Sequence, residues 1–189
     1  MRSARTYLSP LLLATCALLV LPATAGAAGG STSVTLTGGT LSFSTTPSAA
    51  NFATTPLTGT QQTIHTELAS WGVTDARGTG GGWHVTFQAS QFSGAGGITL
   101  PTGSLSMTAP LVAPNGVNLA APPLVQGATF TLDGGSAVGI VHALELTGQG
   151  AWSMTQSNLL GGDLALTIPA NAAAGTYTSN LTFTLAAGP

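Results

Sequence analysis

Lysine is absent from this sequence of 189 residues, and charged side chains of either sign are scarce. They make up 4% of the chain, whereas ordinary soluble domains have roughly 25%. The only basic residues are Arg2, Arg5 and Arg77. A phosphate-binding P-loop and a Schiff-base enzyme both require a lysine, so both classes are excluded. Nucleic-acid binding requires many cations to displace phosphate counterions, and we therefore predict no nucleic-acid partner.

Cysteine occurs once, at Cys16, inside a segment that resembles a leader. A short basic stretch, residues 1–5, precedes a mostly apolar run, residues 7–21, and two small-x-small patterns follow in residues 23–27. This order is typical of a secretory signal peptide, and the apolar run is too short and too interrupted for a membrane span. We predict a signal peptide at residues 1–27 and one domain at residues 28–189.

Removal of this leader would leave a domain with no cysteine and with one cation, Arg77, beside all five acids. Such a domain cannot form disulfides, so its core and its sheet hydrogen bonds must hold it together. It also cannot attach electrostatically to an anionic wall polymer or lipid. Any attachment must use hydrogen bonds and neutral aromatic or aliphatic surface.

The remaining sequence is rich in threonine and glycine and predicts strands joined by turns. The clearest alternation is at residues 83–90, where Trp83, Val85, Phe87 and Ala89 share one face. Further strands are predicted at residues 33–36, 40–43, 62–71, 104–107, 129–132, 138–143, 151–154, 164–168 and 177–185. Residues 47–56 and 110–123 are predicted as loops that cross between sheets. We predict an all-β, antiparallel two-sheet sandwich, immunoglobulin-like, with roughly eight to ten short strands.

Two stretches resemble the WxL domain of Gram-positive surface proteins, in its short, single-domain actinobacterial form. The first is residues 73–86 (VTDARGTGGGWHVT), and the second comprises residues 166–170 (LTIPA) and 174–185 (AGTYTSNLTFTL). The resemblance spans roughly residues 33 to 189. It implies a secreted, wall-associated domain that binds peptidoglycan without a covalent link. The two Trp-x-Leu-type motifs of the family correspond here to Trp83-His84-Val85 and Phe183-Thr184-Leu185, each of which keeps an apolar pair at positions i and i+2.

The motif residues have two alternative roles. Trp83, Val85, Phe183 and Leu185 either pack in the core between the sheets or form a neutral platform that contacts peptidoglycan. Three other residues are assigned structural roles. We expect Arg77, with Asp75, to tie the glycine-rich loop before Trp83, and Tyr177 to tie a corner at the start of the last strand.

The sequence favours an exported, non-catalytic protein, and the resemblance implies a location at the cell surface or cell wall with peptidoglycan as its partner. The alternative is a structural subunit that assembles with other surface proteins through uncharged faces or an exposed strand edge, without direct glycan binding. No catalytic residues, no metal site and no cofactor are predicted, because the three histidines and five acids show no motif spacing. No membrane span is predicted after removal of the leader.

Overall fold

Strands dominate the computed structural model, which describes residues 30–49, 51–155 and 164–189. The predicted signal peptide and Asp163 lie outside the described residues. The strands in chain order are β1 Leu41–Thr45, β2 Gln62–Thr66, β3 Trp71–Asp75, β4 Trp83–Ala89, β5 Ser93–Gly94, β6 Leu105–Thr108, β7 Leu111–Pro114, β8 Leu124–Val125, β9 Thr129–Thr131, β10 Val138–Ala143, β11 Gly150–Thr155, β12 Leu164–Ile168, β13 Tyr177–Thr178 and β14 Leu181–Ala187. The described residues contain a 3₁₀ turn at Ala95–Gly97. No helix in these ranges is long and apolar enough to span a membrane.

The strands form three antiparallel sheets of four strands and one short pair. Sheet I has the order β1-β3-β11-β7, sheet II the order β14-β4-β10-β8 and sheet III the order β2-β12-β6-β9, while β13 pairs with β5. Every pairing between these strands is antiparallel, and a single parallel bridge joins Ala121 and Thr147 outside them. The prediction of an all-β antiparallel sandwich is confirmed, although the strands form three four-stranded sheets and a short pair where two sheets were expected.

Aromatic side chains join the inner faces of sheets I and II. Trp71 on β3 and Phe87 on β4 have ring centroids 5.4 Å apart, and Phe43 on β1 meets Trp71 edge-on at 6.2 Å. The predicted alternation of β4 is present, since Trp83, Val85, Phe87 and Ala89 are buried while the residues between them are half-buried. Facing apolar rows of this kind are what hold two sheets together.

The strand predicted at residues 62–71 is wrong as one element, because it is divided between β2 of sheet III and β3 of sheet I. The inward-facing positions explain the break. Thr66 and Leu68 are buried at even positions, whereas Trp71 and Val73 are buried at odd positions. A regular strand cannot change the parity of its buried face, so the chain leaves one sheet and enters another.

Three smaller predictions also differ from the structure. Residues 33–36 form no strand. The predicted loop at residues 110–123 contains β7, and the predicted strand at residues 177–185 is divided into β13 and β14. Of the strands that the structure describes, ten have four or more residues. The others are pairings of two or three residues; β9 and β13 lie within predicted strands, whereas β5 and β8 are too short to produce a detectable alternation.

Candidate functional site

The two WxL-type motifs lie side by side in sheet II. Their strands, β4 and β14, pair over seven consecutive positions without a shift in register. Leu185 lies opposite Val85, and Phe183 lies opposite Phe87. Segments a hundred residues apart in the sequence therefore form one continuous two-stranded surface, which sequence spacing alone does not reveal.

Trp83 and Val85 are in the core. Both side chains have 0% relative exposure, and the indole Nε1 of Trp83 donates a hydrogen bond of 2.9 Å to the carbonyl of Gly148. The neighbouring carbonyl, that of Gln149, accepts a hydrogen bond of 3.0 Å from the indole of Trp152 on β11. Of the two roles open to Trp83 and Val85, packing is the one with structural support, because neither side chain has surface that a glycan could contact.

Phe183 and Leu185 are half-buried on the edge strand of the same sheet. Phe183 meets Phe87 in an edge-to-face arrangement, with ring centroids 4.4 Å apart and an interplanar angle of 83°. Such pairs add to the stabilisation from buried area. The remaining exposed surface of both side chains is open to a partner, and contact with peptidoglycan stays a prediction for these two residues.

Asp75 and Arg77 form a bidentate ion pair at the end of β3. The guanidinium Nε and Nη2 donate to the two carboxylate oxygens of Asp75, each at 2.8 Å, and Nη2 also donates to the carbonyl of Gly82 at 2.6 Å. The hydrogen bond from the Arg77 guanidinium lowers the pKa of the Asp75 carboxyl, although burial opposes the shift. The same bond raises the pKa of Arg77. The pair thus holds the carbonyl directly before Trp83, as loop fixing requires.

Tyr177 stands at the wall of an apolar groove of about 900 Å³. Its hydroxyl donates a hydrogen bond of 2.7 Å to the carbonyl of Ala173, four residues earlier in the sequence. It opens β13, and the corner role we predicted for it stays a prediction. The described residues that line the groove carry no charge, and they combine apolar side chains such as Phe52 and Leu181 with hydroxyls such as those of Thr54 and Thr176.

Asp133 has a structural function that the sequence pattern did not reveal. Its carboxylate is 1% exposed and accepts three backbone N–H bonds, from Gly103, Ser104 and Leu105, at 2.9 to 3.1 Å. The sequence Asp133-Gly134-Gly135 is typical of a turn and by itself indicates nothing more. The partners lie 28 to 30 residues away along the chain, so no local signal identifies them.

The histidines make separate contacts. His84, between Trp83 and Val85, has Nδ1 2.8 Å from the carbonyl of Gly188, and His142 has Nδ1 3.0 Å from the side-chain amide of Gln126. Within residues 30–49, 51–155 and 164–189, no group of three or more His, Cys, Asp or Glu side chains is placed to hold a metal ion.

Comparison with known proteins relates this architecture to one family. No curated protein and no solved structure matches the chain. The family model described as "WxL domain surface cell wall-binding" matches residues 31–189, which include both motif strands, the Asp75–Arg77 pair and the groove. The chain is a member of the WxL domain family of surface cell wall-binding proteins.

Proposed function

We propose that the protein is exported and attaches non-covalently to the peptidoglycan of the cell wall. The observation that carries the proposal is the family match over residues 31–189, since the family is a cell wall-binding one rather than a catalytic one. The predicted signal peptide supports export to the side of the membrane where peptidoglycan lies.

The charge distribution determines what kind of attachment is possible. In the described residues the only lysine or arginine is Arg77, and its guanidinium is already bound to Asp75 and Gly82. Attraction to anionic wall polymers therefore has no source. Neutral contacts remain, and the uncharged groove beside Tyr177 offers both apolar walls and hydroxyl groups for a sugar strand.

Co-sedimentation of the purified protein with peptidoglycan sacculi tests the proposal. We expect the protein to pellet with the sacculi equally in low and in high salt, because neutral contacts are not screened. A steep loss of binding with salt would contradict the neutral mode of attachment. Protein that stays in the supernatant in both buffers would refute wall attachment itself.

Two controls separate this function from other activities. Bovine serum albumin, which has no WxL domain, should remain in the supernatant and so measures trapping of protein in the pellet. Release of soluble muropeptides over time would indicate hydrolysis instead of binding, and we expect none. Failure to pellet, combined with self-association in solution, would favour the alternative role as an assembly subunit.

A further inference from the structure

One edge of sheet II carries unpaired backbone groups. β14 pairs with β4 on one side, and no described residue forms a backbone hydrogen bond with its other side. Just beyond the two ends of the pair, the Ser90 N–H donates to the Asn180 carbonyl and the Gly188 N–H donates to the Gly82 carbonyl. These two bonds show which positions of β14 are hydrogen-bonded to β4. Since hydrogen-bonded and non-hydrogen-bonded positions alternate in an antiparallel pair, the even-numbered residues of β14 bond to β4. The N–H and C=O groups of the odd-numbered residues, 181, 183, 185 and 187, point outward.

The other edge strands of the described sheets have features that discourage pairing. β1 has a register shift, β7 contains Pro114, and β8 and β9 have two and three residues. Along β2, Thr66 and Gln62 donate side-chain hydrogen bonds to the carbonyls of Asn51 and Pro56. The loop that contains these two carbonyls therefore lies against the strand. Bulges, prolines, short edges and covering loops are the usual means by which proteins protect an edge.

β14 has none of these features, and β1, the strand of sheet I that comes close to it, forms no backbone hydrogen bond with it. It has seven residues, regular register, and no proline or charged side chain. Its inward row, Leu181, Phe183 and Leu185, is only half-buried although it packs on the core. A long, uncharged edge in regular register, with incompletely covered apolar side chains, is a template for another strand.

The sequence of this edge indicates which strand fits. Residues 181–185 read Leu-Thr-Phe-Thr-Leu, which is the same in both directions about Phe183. In an antiparallel pair related by a two-fold axis at Phe183, each Leu181 faces Leu185 of the other copy and each Thr182 faces Thr184. All facing odd-numbered positions then have outward N–H and C=O groups, so every such pair can exchange both hydrogen bonds.

We propose that two copies of this chain associate through β14, with a two-fold axis at Phe183, to form a continuous sheet of eight strands. The interface is isologous, as in most homodimers. It brings together no charges, since β14 has none, and it covers the exposed parts of Phe183 and Leu185 with the same residues of the second copy. In such a dimer Phe183 and Leu185 are no longer free to contact peptidoglycan, and wall attachment would use the groove beside Tyr177 instead. The proposal does not depend on wall binding, and its test uses no wall material.

The test compares two double substitutions on the outer face of β14, where Thr182 and Thr184 are exposed. Thr182→Lys with Thr184→Lys places like charges opposite each other across the axis, which destabilises a strand pair. Thr182→Lys with Thr184→Glu places opposite charges there and preserves the pair. The control is Thr63→Lys with His65→Lys, two exposed positions with the same spacing on β2, an edge strand of another sheet.

Mass measured by light scattering or sedimentation should be that of a dimer for the unmodified chain, for the Lys/Glu variant and for the β2 control, and that of a monomer for the Lys/Lys variant. In hydrogen exchange, the amides of Phe183 and Leu185 should be protected only at concentrations where the dimer forms, whereas those of Thr182 and Thr184 should be protected throughout. Circular dichroism of each variant checks that it is folded.

Three results would overturn the proposal. The first is an unmodified chain that is monomeric at every concentration, because that result shows that two copies do not pair through β14. The second is a Lys/Lys variant that remains dimeric. The third is a folded Lys/Glu variant that is monomeric, because that result excludes a two-fold axis at Phe183.

Discussion

Arg77 and its partner Asp75 show how one ion pair can fix a loop in a nearly uncharged protein. The side chain of Asp75 is 1% exposed and that of Arg77 is 20% exposed. The buried negative charge of Asp75 is therefore compensated by the guanidinium and not by water. Gly82, whose carbonyl the guanidinium also binds, has φ of +67°, a conformation that glycine adopts without strain. The pair therefore holds the backbone at the point where β4 begins.

Replacement of Arg77 by alanine should lower stability before it affects wall binding. The change leaves a buried carboxylate with fewer hydrogen bonds, and we expect a loss of about 2 kcal/mol in the free energy of unfolding. Denaturant titration measures the loss, and sacculus pelleting of the folded fraction should be unchanged. A variant that melts normally but no longer pellets would show that Arg77 contacts the wall directly.

The same pair predicts a dependence of stability on pH. The pKa of Asp75 is lowered on folding from its reference value of 3.8, mainly by the hydrogen bond from Arg77. A carboxylate of this kind stabilises the protein above its unfolded pKa, and the contribution is lost as pH falls through the folded pKa. The difference in unfolding free energy between the unmodified chain and Arg77→Ala should be constant from pH 7 to pH 5 and should shrink below pH 4. A constant difference down to pH 2 would show that the ion pair does not cause the loss.

Trp83 contributes through its indole N–H as well as its volume. Trp83→Phe leaves the carbonyl of Gly148 without its donor and opens space in the core, which should cost about 2 to 3 kcal/mol in the free energy of unfolding. Chemical denaturation measures this cost. His84→Ala, at the neighbouring half-buried position of β4, is the control and should cost less. If Trp83→Phe left the free energy of unfolding unchanged, neither the indole hydrogen bond nor the volume of Trp83 would stabilise the core.

At the scale of elements, Asp133 joins the end of β9 to the start of β6. Because its carboxylate accepts three backbone N–H bonds, Asp133→Ala leaves three donors unpaired, two of them in buried bonds. We expect a loss of about 3 kcal/mol in the free energy of unfolding. Glu145→Ala removes an exposed carboxylate and serves as the control, with little effect. Equal melting temperatures for the two variants would contradict the proposed importance of the Asp133 bonds.

The elements that the sequence predicts best are those with one buried face. β4 alternates over its whole length because sheet I covers one side of it, and β12 alternates at Leu164 and Leu166. β10 does not alternate in this way, since Ile140 and Val141 are both buried, and its apolar composition is what located it. β7 escaped prediction because it ends in Pro114 at a sheet edge and three of its four residues are exposed, so neither its composition nor its alternation differs from that of a loop.

The candidate site was predictable as a pair of motifs but not as a surface. The adjacency of β4 and β14, the bond from the Trp83 indole to Gly148, and the binding of Asp133 to residues 103–105 all join segments distant in the sequence. A single sequence contains no direct signal for contacts of this range. The alternation did predict which face of β4 would be apolar, and that is why the burial of Trp83 was one of the two open alternatives.

At the scale of the whole molecule, the fold must be held together by apolar burial and backbone hydrogen bonds. The described residues contain one ion pair between acidic and basic side chains, Asp75–Arg77, and the chain has one cysteine, Cys16, which cannot form a disulfide within the same chain. Most domains of about this size bury enough surface to be stable without such links. The low charge has a further consequence, since little repulsion keeps copies apart and the unprotected edge of β14 becomes decisive for association.

A reducing agent should therefore leave the melting temperature unchanged. Loss of a structural disulfide typically costs 2 to 5 kcal/mol, which would lower the melting temperature of a domain of this size by roughly 4 to 20 °C. Thermal melts with and without dithiothreitol, and of Cys16→Ser where the leader is retained, measure the difference. Because an intrachain disulfide is impossible, a drop in melting temperature would have to come from a covalent link between two copies through Cys16. The β14 interface requires no such link, and the dimer should persist in the reductant if backbone pairing holds it together.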